Sequence, residues 1–136
     1  MAKWYEIKAA APVAQSEAPK PAEVLIYGNI GDRWNEDGVV ASELVRDLSA
    51  LQADTINLRI NSYGGSVPDG LAIYNALRRH KATVNVFVDG VAISCASYIA
   101  MAGDTITMAN NAQMMIHGPW TIAAGNASDM REQADI

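Results

Sequence analysis

Cysteine is almost absent: Cys95 is the single thiol in a sequence of 136 residues. No intrachain disulfide can form, and no Cys-x-x-Cys pair exists to hold a structural zinc ion. Imidazole is nearly as scarce, with His80 and His117 alone and no His-x-x-x-His spacing, so no metal site is expected. Charged residues make up only 18% of the chain, and 10 Lys and Arg against 15 Asp and Glu leave a formal net charge of −5. Such a balance gives no dominant grip on nucleic-acid phosphates or on an anionic membrane surface, so neither partner is expected. Long hydrophobic runs are missing as well. The most apolar stretch, residues 84–102, is interrupted by Asn85, Asp89, Gly90, Ser94 and Ser97 and is too polar for a membrane span. No basic start followed by a long apolar run opens the chain, so no signal peptide is read and a reducing cytoplasm is the expected compartment.

What remains is a half-apolar chain, which has enough material for one packed core. Residues 8–21, rich in Ala, Pro, Ser and Gln, lack an apolar period; residues 1–22 are therefore expected to be a flexible arm and residues 23–136 the domain. Val24-Leu25-Ile26-Tyr27, closed by Gly28, reads as a strand buried on both faces. Val40, Leu44, Leu48 and Leu51 fall on one face of a helix that Asn35 could cap. Residues 55–60 alternate as a strand and Asn61-Ser62-Tyr63-Gly64-Gly65 reads as a turn. Ser66 then caps a helix with Pro68 in its first turn, running to about His80. A strand over 83–88, a turn at Asp89-Gly90 and a helix over 91–102 follow, then short strands over 105–108 and 113–116 around Asn110-Asn111. A last helix opens near Ala127 with Ser128 as its cap and meets no stop signal by Ile136, so a further C-terminal portion is expected. Alternating strand and helix predicts an α/β fold with a largely parallel sheet, in which sites gather where strands end and helices begin. Asn61 to Ser66 and Asp89 to Ser94 occupy such positions.

Three features could carry chemistry. Adjacent Gly64 and Gly65 permit positive φ and let backbone N–H groups approach a ligand; a tight turn explains them equally well, and the lysine of a phosphate loop is missing. Ser94 stands at the start of a helix after a strand, where the next N–H, that of Cys95, stabilises developing negative charge. Its neighbours Ala92, Ile93, Cys95, Ala96 and Ser97 are also what close helix packing selects, and Ser97 is expected to be buried and hydrogen-bonded. His117 ends a short apolar run before Gly118-Pro119, placed to face a cleft as a general base; a lone histidine is more often structural. His80 is better explained by a helix C-terminus. Cys95 reads as a small hydrophobe, and Met101, Met108, Met114 and Met115 as core or interface filler.

Taken in order, Ile60-Asn61-Ser62-Tyr63-Gly64-Gly65-Ser66-Val67, Gly90-Val91-Ala92-Ile93-Ser94 and Met115-Ile116-His117-Gly118-Pro119 resemble the proteolytic subunit of Clp protease. The Clp-like head maturation (prohead) proteases of phages and prophages are closer still. Gly70-Leu71-Ala72-Ile73-Tyr74 and Ala100-Met101-Ala102-Gly103-Asp104 match that group too, and the likeness runs over residues 24–129. Tyr63 stands where proline is frequent, and Ile93 and Cys95 where smaller or different residues are common. The resemblance implies a Clp/crotonase-type α/β fold of repeated ββα units and a serine endopeptidase. It makes Ser94 the nucleophile, His117 the base, and the N–H groups of Gly65 and Cys95 the oxyanion hole. Strand residues Ser66, Val67 and Pro68 would border a channel for an extended peptide. Asp129 matches a non-catalytic position, and the acidic residue that orients the histidine in the family is expected beyond Ile136.

The implied partners are a polypeptide substrate, with capsid or scaffold protein suspected, and further copies of the chain in a ring. No metal or organic cofactor is required. A housekeeping Clp subunit fed by an unfoldase ATPase is the near alternative. An acyl-CoA enzyme on the same fold would leave Ser94 and His117 without a purpose, and a non-catalytic assembly protein would keep the fold for ring formation alone.

Overall fold

Period-two burial picks out the strands that carry the sheet. In the computed structural model, which describes residues 5–9, 21–31 and 41–135, β1 (Tyr5–Ala9) and β2 (Pro21–Tyr27) lead to α1 (Ala41–Ala50). Then come β3 (Thr55–Ser62), α2 (Val67–Arg79), β4 (Thr83–Ile93), α3 (Cys95–Ala100), β5 (Thr105–Met108), β6 (Gln113–Met115) and α4 (Ala127–Ala134). The sheet runs β1-β2-β3-β4-β5, with β6 on β4 beyond β5; every pairing is parallel except that of β1 with β2. This is the largely parallel α/β architecture expected from the alternation of elements.

Register stacks the apolar residues in rows across the sheet. Val24, Leu58, Val86 and Ile106 form one row; Ile26, Ile60, Val88 and Met108 form the next. Within these rows the β2, β3 and β4 members are buried in one core with Leu44 and Leu48 of α1, Ile73 and Leu77 of α2 and Ile99 of α3. The expected apolar face of α1 holds at Leu44 and Leu48, while Asn35 to Val40 lie outside the described residues.

The sheet's other face is different, and it corrects the reading of residues 24–27 as buried on both sides. Leu25 is half-buried and Tyr27 is 41% exposed, because α1, α2 and α3 contribute their buried residues to the opposite face. Tyr27 Oη donates to Asp89 Oδ2 at 2.7 Å. Arg59 clamps both oxygens of the same carboxylate and lies over the Phe87 ring.

Asp89-Gly90 is not a turn. It is a bulge inside β4, where the pairing with β3 slips between Ile60 and Ser62. Asn61 Oδ1 accepts the Val91 N–H at 3.2 Å, and a Cβ on Gly90 would lie 2.5 Å from that oxygen. Val91, Ala92 and Ile93 continue β4 by pairing with β6, so the helix expected over 91–102 shrinks to α3. Within the span read as an arm, Tyr5–Ala9 is strand and Tyr5 is 4% exposed, its hydroxyl donating to Asp47 of α1 at 2.9 Å. Residues 10–20 lie outside the described residues. At α4 the cap is Asn126 and not Ser128, since Asn126 Oδ1 accepts the N–H groups of Ser128 and Asp129. No helix among the described residues is long and apolar enough to cross a membrane.

Candidate active site

Ser94 joins β4 to α3 with φ 56° and ψ −128°, the one positive φ outside glycine among the described residues. A side chain there costs on the order of 1–3 kcal/mol and persists only where neighbours enforce it. Three bonds do so. The Ser94 N–H donates to the Met115 carbonyl at 3.0 Å, which carries the β4–β6 ladder up to the elbow. Its carbonyl accepts the Ser97 N–H at 2.9 Å and the Ser97 hydroxyl at 2.7 Å. Ser97 is thus buried and bonded as expected. The Ser94 hydroxyl itself is not spent on capping α3.

The glycine turn lies directly against this elbow. Gly64 and Gly65 have φ of 92° and 148°, and a Cβ on Gly64 would sit 2.7 Å from Ser94 Cβ and 2.6 Å from the Ile93 carbonyl. Only glycine allows that approach. The turn is stitched to the chain after β2. Ile30 N–H donates to the Gly64 carbonyl at 2.8 Å, and Ser66 N–H donates to the Ile30 carbonyl at 2.8 Å.

A Cβ on Gly64 would also lie 3.1 Å from the Cys95 nitrogen, so the glycine turn meets the first residue of α3 beside Ser94. Burial pushes the Cys95 thiol up from 9.0 to about 11, and the neighbouring backbone of Gly65 and Cys95 together with Tyr98 only partly opposes the shift. Burial and the neighbouring Cys95 likewise push the Tyr98 phenol from 10.0 to about 12. Both groups hold their protons more tightly folded than unfolded. The stability they confer is therefore complete below about pH 9 and is lost as pH climbs through about 11 and 12. Tm is expected to decline over that window. At pH 8, alkylation of Cys95 in the folded chain should run at least roughly a hundredfold slower than in urea-unfolded chain.

His117 is exposed, in the segment after β6, two residues past the carbonyl that anchors Ser94. Two residues of chain span at most about 7 Å, so the topology delivers the imidazole to the neighbourhood of the elbow. Nδ1 lies 2.6 Å from the Gly118 carbonyl. A carbonyl can only accept, so Nδ1 carries the proton and the Nε2 lone pair of the neutral ring is left basic. No hydrogen bond joins His117 to Ser94. Asp129 is committed elsewhere, its carboxylate accepting the Asn126 N–H at 2.9 Å in a capping box.

Ser66, Val67 and Pro68 open a helix, as the residues themselves predict, and are not the strand that the resemblance implies. Ser66 is the N-cap of α2, accepting the Asp69 N–H at 3.4 Å, and Val67 and Pro68 form its first turn. Tyr98 Oη donates to the Val67 carbonyl at 2.8 Å and so pins that turn to α3. His80 is structural: Nδ1 accepts the Ala82 N–H at 3.0 Å and Nε2 bonds the Leu51 carbonyl. Among the described residues, no group of three or more His, Cys, Asp or Glu is placed to hold a metal ion. Sequence reasoning passed over Ser62 and Tyr98, which act by holding backbone. Nothing in a lone serine or tyrosine announces such a role.

The layout is that of an α/β protein with a serine at a strand-to-helix elbow, facing a glycine turn. The chain belongs to the Clp protease family, whose model matches residues 15–136. It is 38% identical over 101 residues to "ATP-dependent Clp protease proteolytic subunit 1" of Prochlorococcus marinus (strain NATL2A), covering 70% of this chain and 52% of that protein. It is 34% identical over 112 residues to the protein of the same name from Prochlorococcus marinus subsp. pastoris (strain CCMP1986 / NIES-2087 / MED4), covering 78% and 56%. It is 37% identical over 101 residues to "ATP-dependent Clp protease proteolytic subunit 2" of Synechococcus sp. (strain CC9605), covering 70% and 51%. The chain thus spans about half the length of the curated relatives it matches.

Proposed function

We propose that the protein is a serine endopeptidase of Clp type. The observation that carries this is the strained Ser94 elbow set against Gly64, where the glycine turn meets Cys95 at the start of α3. In this reading His117 Nε2 takes the hydroxyl proton as Ser94 Oγ attacks a peptide carbonyl. The oxyanion lies on the Gly65 and Cys95 N–H groups, and the proton passes from His117 to the leaving amine. The Gly118 carbonyl supports the role of His117 by holding the tautomer that leaves Nε2 basic. Water then repeats the sequence on the acyl-enzyme. Ser66, Val67 and Pro68 border the substrate cleft as a helix turn, and no cofactor enters the reaction.

The substrate we favour is a capsid or scaffold protein, cleaved in the cytoplasm or the assembling prohead of a phage or prophage; the three ordered motifs support it. The names of the relatives support a second reading, a subunit of an ATP-dependent Clp protease paired with an unfoldase ATPase. Self-association into a ring fits either one. Ile106, Met108, Met115, Ile116 and Trp120 are between 40% and 82% exposed along the late strands and the segment after them.

A fluorophosphonate tests the shared chemistry. Ser94 Oγ forms a bond to phosphorus, fluoride leaves, and the proton goes to His117. An adduct mapped to Ser94 and lost in His117→Ala is the expected result. A folded chain that takes no label there overturns the reading. Cleavage of folded substrate only with an ATP-driven partner would separate the second reading from the first.

A further inference from the structure

We propose that Ser62 is a positioning residue for this site, acting through the Gly64–Gly65 peptide on the Gly65 N–H; this rests on the reading of Gly65 as an oxyanion donor. Ser62 is wholly buried and, with Ser97, one of two buried polar residues among the described residues. Its hydroxyl is used at both ends. Oγ donates to the Gly28 carbonyl at 2.6 Å and accepts the Gly64 N–H at 3.0 Å.

The consequence follows from peptide planarity. The Gly64 carbonyl and the Gly65 N–H belong to one flat trans unit and point in opposite directions. Ile30 N–H holds the carbonyl side at 2.8 Å, so the N–H side is turned away from the Ile30 N–H. That bond alone leaves the unit free to pivot about Gly64, which has no side chain to brace it and stands at φ 92°. Ser62 grips the preceding N–H and fixes the other end of the pivot. Ser62 is in turn held to the Gly28 carbonyl, and the Gly28 N–H donates to the Asn61 carbonyl at 3.1 Å. Ser62 is therefore the clasp between the end of β2 and the donor turn. Without Oγ the buried Gly64 N–H has no acceptor, and the turn must shift to find one.

A displacement of about 1 Å in an oriented donor can slow a reaction by roughly a hundredfold with little loss of binding. Inactivation by a fluorophosphonate, whose phosphonyl oxygen seeks the same donors, separates the two. For Ser62→Ala in the full chain, the first-order inactivation constant at Ser94 should fall roughly tenfold to a hundredfold. The half-saturating probe concentration should stay within about a factor of two, and amide exchange at Gly64 and Gly65 should accelerate. Ile56→Val, an equally buried change away from the turn, controls for lost stability and should label at the wild-type rate. Ser62→Cys keeps the volume with a poorer acceptor and should fall between Ser62→Ala and wild type; it also serves if the alanine variant does not fold. If either folded Ser62 variant labels at the wild-type rate, or if Ile56→Val slows as much, the positioning role is overturned. Failure of wild-type chain to label at Ser94 would remove the donor reading itself, which is a different outcome.

Discussion

Ser94→Ala is expected to take no fluorophosphonate label and to lower peptide hydrolysis by about four to six orders of magnitude, the usual cost of removing a nucleophile from a serine site. The elbow explains why no neighbour can substitute. Ser97 lies one helical turn on, but its hydroxyl is buried and already donates to the Ser94 carbonyl at 2.7 Å. Ser97→Ala should still label on Ser94, because the Ser97 N–H keeps its own 2.9 Å bond to that carbonyl. Equal hydrolysis by Ser94→Ala and Ser97→Ala would move the nucleophile elsewhere. The backbone supplies a second, independent readout. A residue with Cβ at φ 56° is strained, and glycine is not. Ser94→Gly should therefore melt higher than wild type, by roughly 1 kcal/mol after the entropy that glycine adds to the unfolded chain. A variant that is more stable yet inactive would show that the strain is held for the site. A lower Tm for Ser94→Gly would mean that the serine side chain contributes more to packing than the elbow costs.

The parts of this arrangement legible in the sequence are those whose chemistry is local. Adjacent glycines after an alternating run, a serine followed by valine and proline, and apolar residues at helical spacing each name their own backbone. The Gly64-Gly65 turn, the Ser66 cap and the Leu44–Leu48 face accordingly stand where the residues predict. Ordered motifs reach further, since the family resemblance they carry implies one site for Ser94, Gly65 and His117.

What the sequence hid is set by distant partners. Asp89-Gly90 has turn composition, yet Tyr27, Arg59 and Asn61 on two neighbouring strands hold it inside β4. Val91 to Ile93 could read as helix because the strand that claims them, β6, comes 20 residues later. Ser62 looked like one more turn residue because its acceptor, Gly28, is 34 residues away. Tyr27 carries an apolar ring on an uncovered face, which composition cannot distinguish from a buried one. In each case a contact across the sheet overrides a local preference.

Gly65→Ala is the variant in which fold and chemistry should fail together. Gly65 sits at φ 148°, and a Cβ there would lie 2.0 Å from the Ile30 carbonyl oxygen and 2.9 Å from the Ile30 nitrogen. Those atoms cannot swing aside as a side-chain end would. They form the bridge between Ile30 and Gly65, and both flanking bonds, Ile30 N–H to Gly64 and Ser66 N–H to Ile30, depend on the same approach. Backbone strain of about 1–3 kcal/mol and overpacking of similar size add up. A loss of about 3 kcal/mol, or roughly 10 °C in Tm, is the expected result for a chain of this length. Gly118→Ala serves as the stability control, since an added Cβ there meets nothing within 4 Å, and its Tm should be nearly unchanged. The effect on chemistry should exceed the effect on folding. Retreat of Ile30 lets the Gly64–Gly65 peptide turn and carries the Gly65 N–H away from Ser94, so folded Gly65→Ala should label at least roughly a hundredfold more slowly than wild type. Measuring labelling well below the variant's own Tm separates the two losses. Wild-type labelling in a folded Gly65→Ala chain would show that the oxyanion is held by Cys95 and some donor other than Gly65.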